Sequence, residues 1–300
     1  MYPKTLIGNY VTLYGICIAI GIVMCIVVLR FLGKRRNIDK KFLDFVELNA
    51  YIAIAVGFGA SWIFQVVYNY IETGVWKFDS GITFLGGLIG GIASFLIIYI
   101  IMKKSGKLTG EVVQILPIAA PCITVAHGFG RIGCFFAGCC HGIEPTEGSF
   151  FSFLAIKFPE YSQKTVNTFF GTTVSIPDQI IGYVKYYPTQ LWEALFLLTI
   201  TAIFILVIYY KDFKFTLPIY IGSYGIWRFL IEFVRGDDRG QIFKGLDFPS
   251  PSQFFSLIMI AVAVPVFFLV RYLYNKKKKE LNILVDPTVE SLDDNDEAKM

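Results

Sequence analysis

VVQILPIAAPCITVAHGFGRIGCFFAGCCHG, residues 112–142, holds the reading of this chain. Residues 112–130 carry no formal charge, and the run then closes on Arg131, three cysteines and the chain's only two histidines. About 20 predominantly apolar residues are what a helix needs to cross the hydrocarbon core of a bilayer. The stretch therefore reads as a membrane helix that ends in chemistry. What that chemistry is depends on the rest of the chain.

Working outward, the 300 residues are 55% hydrophobic and 17% charged, less polar than the surface of a soluble protein of this length demands. The apolar residues fall in seven blocks, roughly 9–32, 46–70, 82–102, 111–138, 188–210, 215–234 and 253–274. The first is longer than a signal-peptide core, and its basic cluster follows the apolar run instead of preceding it. The expected fold class is an all-α polytopic membrane protein with seven transmembrane helices. Lys34, Arg35, Arg36, Lys40 and Lys41 follow the first block, Lys103, Lys104 and Lys107 the third, Lys211 and Lys214 the fifth, and Arg271 with Lys276 to Lys279 the seventh. These are alternate loops. By the positive-inside rule the N-terminus lies outside and the C-terminus in the cytoplasm. The net charge of +4 belongs mostly to this belt, so no nucleic-acid partner is expected. Residues 1–275 form the expected membrane domain, with an outward loop over about 139–187. Residues 276–300, basic and then acidic, read as a disordered cytoplasmic tail.

Ionisable groups inside a span are costly, so each one is a functional candidate. In the sixth block Tyr224, Arg228, Glu232 and Arg235 stand at i, i+4, i+8 and i+11, which places them on one stripe of a continuous helix. Two arginines to one glutamate leave a cation that wants an anion, and the abundant anion in a membrane is a lipid phosphate. Arg131 is flanked by Gly128, Gly130, Gly133 and Gly138, where a ligand or another backbone can approach closely. Gln190 and Glu193 lie just inside Pro188, where an acid also suits the helix dipole. Gly86, Gly87, Gly90 and Gly91 of the third block mark close helix packing.

Cys134, Cys139, Cys140 and His141 could ligate a metal, with His127 as a further candidate. The stretch lacks a Cys-x-x-Cys pair, however, and adjacent cysteines seldom hold one ion. No metal site and no cofactor are expected. A disulfide between Cys134 and Cys139 or Cys140 stays open, because the segment is assigned to the oxidising face. Cys17, Cys25 and Cys122 read as small core hydrophobes.

The stretch HGFGRIGCFFAGCCHG resembles the signature of the prolipoprotein diacylglyceryl transferase family, and other segments match in order. TLYGICIAIG is similar to the family's first-helix motif at Tyr14 and Gly15. GITFLGGLIGG resembles its third-helix segment, and YPTQLWEALF its Pro-Ser-Gln-Leu-Tyr-Glu segment. YGIWRFLIEFVRGDD resembles its Arg-Phe-x-x-Glu-x-x-Arg helix, and SPSQFFSLIMI the start of its last helix. The likeness spans about residues 8 to 275. Departures accompany it. Leu85 stands where the family usually has a histidine, and Ser61 where it often has an arginine. Cys134 and Ala137 replace the signature asparagines, and Cys139 replaces the acid.

The resemblance implies an enzyme of the bacterial inner membrane. It would move a diacylglyceryl group from phosphatidylglycerol to the lipobox cysteine of a prolipoprotein signal peptide, releasing glycerol 1-phosphate. It further implies that Arg228, Glu232 and His127 are catalytic, with Glu232 orienting Arg228 or Arg235. Arg131, Tyr14, Gly130, Gly133, Gln190, Glu193 and Arg235 would bind substrate. With Leu85 in place of the histidine, His127, His141 or Glu232 must take the thiol proton, or the thiolate must arise in the arginine field alone. A second reading is a relative that binds phospholipid but serves another acceptor, or does thiol-redox chemistry through Cys134, Cys139 and Cys140.

Overall fold

A computed structural model describes residues 12–76, 78, 83–146, 150–167, 173–236 and 248–285. The acidic end after residue 285, the first residues of the first block and the Asp-Asp pair after Gly236 lie outside the described residues. The apolar blocks become α1 (Leu13–Arg35), α2 (Lys40–Thr73), α3 (Phe84–Lys104), α4 (Val112–Ala137), α5 (Thr189–Lys211), α6 (Thr216–Ile231) and α7 (Pro251–Val285). Between α4 and α5, in the segment expected as the outward loop, a 3-10 turn (Phe150–Leu154) leads into a two-stranded sheet of β1 (Ile156–Asn167) and β2 (Thr173–Tyr186).

Six helices among the described residues are long and apolar enough to cross a membrane. The seventh of the expected spans, α6, is only 16 residues long. At 1.5 Å per residue that is about 24 Å, short of a ~30 Å hydrocarbon core. Its charged end tightens into a 3-10 turn over Glu232–Val234 instead of continuing as an α-helix. At the other extreme, α7 continues through the lysine run to Val285. The stretch expected as a disordered tail from residue 276 therefore starts as helix, in keeping with the good helix propensity of lysine.

The chain forms two compact units. One comprises residues 29–111 and 161–181, and in it α2 packs on α3. A Cβ on Gly90 would collide with the Ala60 Cβ at 2.3 Å, so the glycine-rich face of α3 exists to let α2 approach. Leu85 lies in this unit and is exposed.

The other unit comprises residues 1–28, 112–160 and 182–300, and holds the charged residues singled out above. Its core gathers Ala120, Leu197, Phe204, Tyr220 and Tyr224 from α4, α5 and α6. Two prolines inside α4 leave carbonyls without their usual helical donors, since Pro117 and Pro121 have no N–H to give to residues 113 and 117. Neighbouring helices make up the loss. Tyr274 Oη of α7 donates to the Val113 carbonyl at 2.9 Å, and Thr216 Oγ1 of α6 donates to the Pro117 carbonyl at 2.7 Å. A backbone polar group left unpaired in an apolar interior costs several kcal/mol, roughly, so these two bonds tie α4 to its neighbours. Gly225 lets α6 meet α7: a Cβ there would lie 2.9 Å from Ile260 Cγ1 and 3.0 Å from the Ser256 carbonyl oxygen.

Candidate functional site

Glu193 sits at the centre, fully buried on α5 with 0% exposure. Its Oε1 accepts from Tyr224 Oη at 2.7 Å, and His127 Nε2 stands 3.8 Å from the same oxygen. Its Oε2 faces Arg131 Nε at 3.0 Å and Arg235 Nη1 at 3.9 Å. The Arg131 contact is an ion pair whose N–H does not point along the line to the oxygen; neither atom completes a hydrogen bond there. Glu193 thus departs from the helix-dipole reading. It lies beyond the first turn of α5 and serves as the counter-ion of a buried cluster. No local pattern reveals this role, because its partners come from α4, from α6 and from beyond α6.

The second carboxylate is Glu232. Its Oε2 lies 2.9 Å from Arg228 Nη2 and 3.8 Å from Arg235 Nε, while its Oε1 accepts from Ser250 Oγ at 3.0 Å. Arg228 Nη2 also donates to Ser252 Oγ at 2.8 Å. The expected stripe is broken after Ile231: Glu232 belongs to the 3-10 turn, and Arg235 is in extended backbone bridged antiparallel to Gly142. Arg228 and Glu232 still pair at helical i,i+4 spacing, whereas Arg235 reaches Glu232 and Glu193 from the bridged extended segment.

Ser250 and Ser252 were not among the sequence candidates. The signal for them was SPSQ, residues 250–253, a capping box with proline at the first helical position. Gln253 N donates to Ser250 Oγ at 3.2 Å, and Ser250 N donates to Gln253 Oε1 at 2.9 Å. The cap sets the start of α7 and brings both hydroxyls onto the charged cluster.

The remaining candidates divide. His127 is on α4 one turn before Arg131, edge-on to the Tyr224 ring at 5.1 Å. His141 makes no ion pair with the cluster among the described residues and is half-buried. It stacks on Tyr186 at 3.9 Å, and its Nδ1 is 3.0 Å from the Gly142 carbonyl. Gly133 lets α1 approach, because a Cβ there would meet Tyr14 Cδ2 at 3.0 Å, and Tyr14 itself is 41% exposed. Gly130 faces open space. Gln190 is fully buried, and its Nε2 donates to the Cys139 carbonyl at 2.6 Å.

The three outer cysteines meet, as the open disulfide reading requires, but no bond joins them. Gly138, at φ 74°, closes α4 with a Schellman turn in which Gly138 N bonds the Phe135 carbonyl and Cys139 N the Cys134 carbonyl. The turn lays Cys139 beside Cys134, five residues back, and the Sγ atoms of Cys134, Cys139 and Cys140 all lie within 4.8 Å of one another. All three are free thiols. Hydrogen bonds from Cys134 and Cys139 hold the Cys140 thiol well below its ordinary pKa, with Arg235 and Arg131 assisting.

Among the described residues, three guanidinium groups, Arg131, Arg228 and Arg235, gather around the two carboxylates of Glu193 and Glu232 in a largely buried place. Arg228 Nη1 has no hydrogen-bond partner among the described residues. Such an arrangement receives an anion and stabilises negative charge that develops there. Fold and site define a class: a membrane protein of long apolar helices with an anion-receptive site beside a group of thiols. Comparison with known proteins then gives the family. The model of prolipoprotein diacylglyceryl transferase matches residues 5–269. The chain is 30% identical over 263 residues to a protein of Clostridium tetani named phosphatidylglycerol–prolipoprotein diacylglyceryl transferase, covering 86% of this chain and 93% of that protein. It is 30% identical over 273 residues to a protein of the same name from Dehalococcoides mccartyi, covering 89% and 90%. Another relative so named, from Clostridium perfringens, is 29% identical over 82% of this chain and 86% of its own length. The chain belongs to the prolipoprotein diacylglyceryl transferase family and is an enzyme of the transferase class.

Proposed function

We propose that this enzyme transfers the diacylglyceryl group of phosphatidylglycerol to the thiol of a lipobox cysteine in a prolipoprotein signal peptide, releasing glycerol 1-phosphate. The observation that carries the reading is the buried Arg228, whose Nη1 has no hydrogen-bond partner among the described residues, beside Arg131 and Glu193. The names of the three relatives support the same donor and acceptor class, and they do not favour a thiol-redox protein.

The reaction is displacement at a carbon by sulfur, with a phosphate monoester leaving. Arg131 and Arg228 hold the phosphate. Arg228 has a free Nη1 to offer, and Glu232, Ser250 and Ser252 hold its plane in place. Glu193 keeps Arg131 and Arg235 in register and prevents three like charges from separating. As negative charge moves onto the departing phosphate, the same guanidiniums bind it more strongly, which lowers the barrier. The acceptor thiol must lose a proton, being mostly protonated at neutral pH. His127 takes it, and its protonated ring then gains Glu193 as a partner. Open space at Gly130, and exposed Tyr14, leave room for lipid and peptide.

The basic clusters support an N-terminus outside and a C-terminus in the cytoplasm of a bacterial inner membrane. In this arrangement α6 with its 3-10 extension makes the seventh, incomplete crossing. The test is complementation of a strain depleted of its own transferase. Growth and restored lipidation of a reporter lipoprotein are expected with the wild type and not with Arg228→Ala. Failure of well-expressed wild type to restore lipidation would overturn the proposal.

A further inference from the structure

The thiol trio lies in no packed core, since Cys139 is exposed and Cys134 and Cys140 are half-buried. Packing alone does not account for three thiols drawn to one point. Their geometry is built by other residues. The Schellman turn at Gly138 lays Cys139 on Cys134. Cys140 is in the left-handed backbone region at φ 62°, unusual for a residue with a side chain. Both adjacent carbonyls are pinned by fully buried side chains at the start of α5: Gln190 Nε2 donates to the Cys139 carbonyl at 2.6 Å, and Thr189 Oγ1 to the Cys140 carbonyl at 3.0 Å. Supports of this kind fix ligand direction at metal sites.

Sulfur atoms bound to one zinc ion at ~2.3 Å lie roughly 3.8 Å apart, so a trio already within 4.8 Å needs only a small contraction. A disulfide would use two of the three sulfurs and leave the third idle; a thiophilic cation uses all of them. Three thiolates and Zn2+ carry one net negative charge, which Arg131 and Arg235 stand near enough to offset. Three protein ligands leave a fourth position open, the arrangement of a zinc ion that acts and not one that only braces. The same turn of α5 holds the cysteine loop through Gln190 and sets Glu193 against Arg131, which ties the trio to the element that carries the anion site.

We propose that Cys134, Cys139 and Cys140 hold one zinc ion whose open position takes the acceptor thiol as thiolate. The acceptor's part rests on the function proposed above; binding of the ion does not. In the step, the acceptor S–H gives its proton to His127 and its sulfur bonds to zinc. That sulfur then attacks the terminal glyceryl carbon of the lipid. The S–C bond forms as the C–O bond to phosphate breaks, and glycerol 1-phosphate leaves with the electron pair in the arginine site. No oxidant or reductant enters. Coordination lowers the pKa of the acceptor thiol, so that His127 can take its proton at neutral pH.

The test uses the reduced full-length protein in phosphatidylglycerol-containing nanodiscs. Dialysis against zinc alone, followed by metal analysis, is expected to leave one zinc per chain, falling at least tenfold in a variant with Cys134→Ser, Cys139→Ser and Cys140→Ser. Where that variant does not fold, wild type blocked at its thiols by alkylation gives the same comparison. Equal retention by wild type and thiol-deficient protein, or no retention by wild type, overturns the site. Cobalt(II) is then loaded in place of zinc, and a synthetic lipobox peptide is added. A stronger thiolate-to-cobalt absorption with the cysteine peptide and none with its serine version supports activation. No difference between the peptides overturns it, whatever complementation shows. Failed complementation with a positive peptide difference would instead overturn the proposed transfer while leaving the metal-bound acceptor standing.

Discussion

Arg131 Nε and Glu193 Oε2 stand 3.0 Å apart between α4 and α5, at a carboxylate with no solvent exposure. His127 Nε2 and Arg235 Nη1 reach the same carboxylate, at 3.8 Å and 3.9 Å. A carboxylate that balances several buried cations is structural and functional at once.

Glu193→Gln keeps the shape and removes the charge. Breaking a buried pair by deleting one partner costs about 3–5 kcal/mol, because the remaining charges are left uncompensated. The unfolding midpoint in detergent is expected to fall well below wild type, and transfer with it. An unchanged midpoint would show that Glu193 is not the counter-ion of Arg131.

Arg228→Ala is expected to reduce transfer from labelled phosphatidylglycerol by about 10²–10³, the scale of losing one preorganised donor to a developing charge. Arg228→Lys keeps the charge but loses the planar fork, so it recovers only part of the rate. Size-exclusion profiles should match wild type for both. Near-normal activity of the alanine variant would remove Arg228 from the phosphate.

Ser252→Ala removes the hydroxyl that accepts from Arg228 Nη2. Its effect is expected to be a severalfold loss of kcat with the lipid KM little changed, since the guanidinium keeps Glu232 but loses its fixed orientation. A fall in stability with kcat intact would assign Ser252 to the start of α7 alone.

Thr216→Val and Tyr274→Phe each orphan a carbonyl that a proline in α4 has already deprived of its helical donor. Each is expected to lower stability by about 1–3 kcal/mol without changing the rate per folded molecule. Thermal unfolding beside activity per active protein checks this. Two neutral substitutions would mean that those carbonyls find other donors.

Much of the fold was legible in one dimension. Apolar run length is a local property, and all seven blocks became helices with ends within a few residues of those expected, apart from the ends of α2 and α6 and the extension of α7. The glycine face of α3 was legible for the same reason, since small residues four apart can only admit a close neighbour. Arg131, Arg228, Glu232 and Arg235 stood out because a charge in an apolar run is conspicuous wherever it points.

Which charges fall inside apolar blocks can be read along the chain. Which carboxylate each cation meets depends on how the helices pack. Glu193 looked like a helix-dipole residue until α4 and the Arg235 bridge closed on it, and Ser250 and Ser252 became site residues only when the capping box aimed α7 at Arg228 and Glu232. Cys134, Cys139 and Cys140 were unevenly spaced in the chain, yet a left-handed glycine reverses the backbone and gathers them. The physical reason is the same each time. Helical periodicity relates residues on one element, whereas hydrogen bonds and ion pairs between elements depend on where helices end, and those ends are set by caps, prolines and turns.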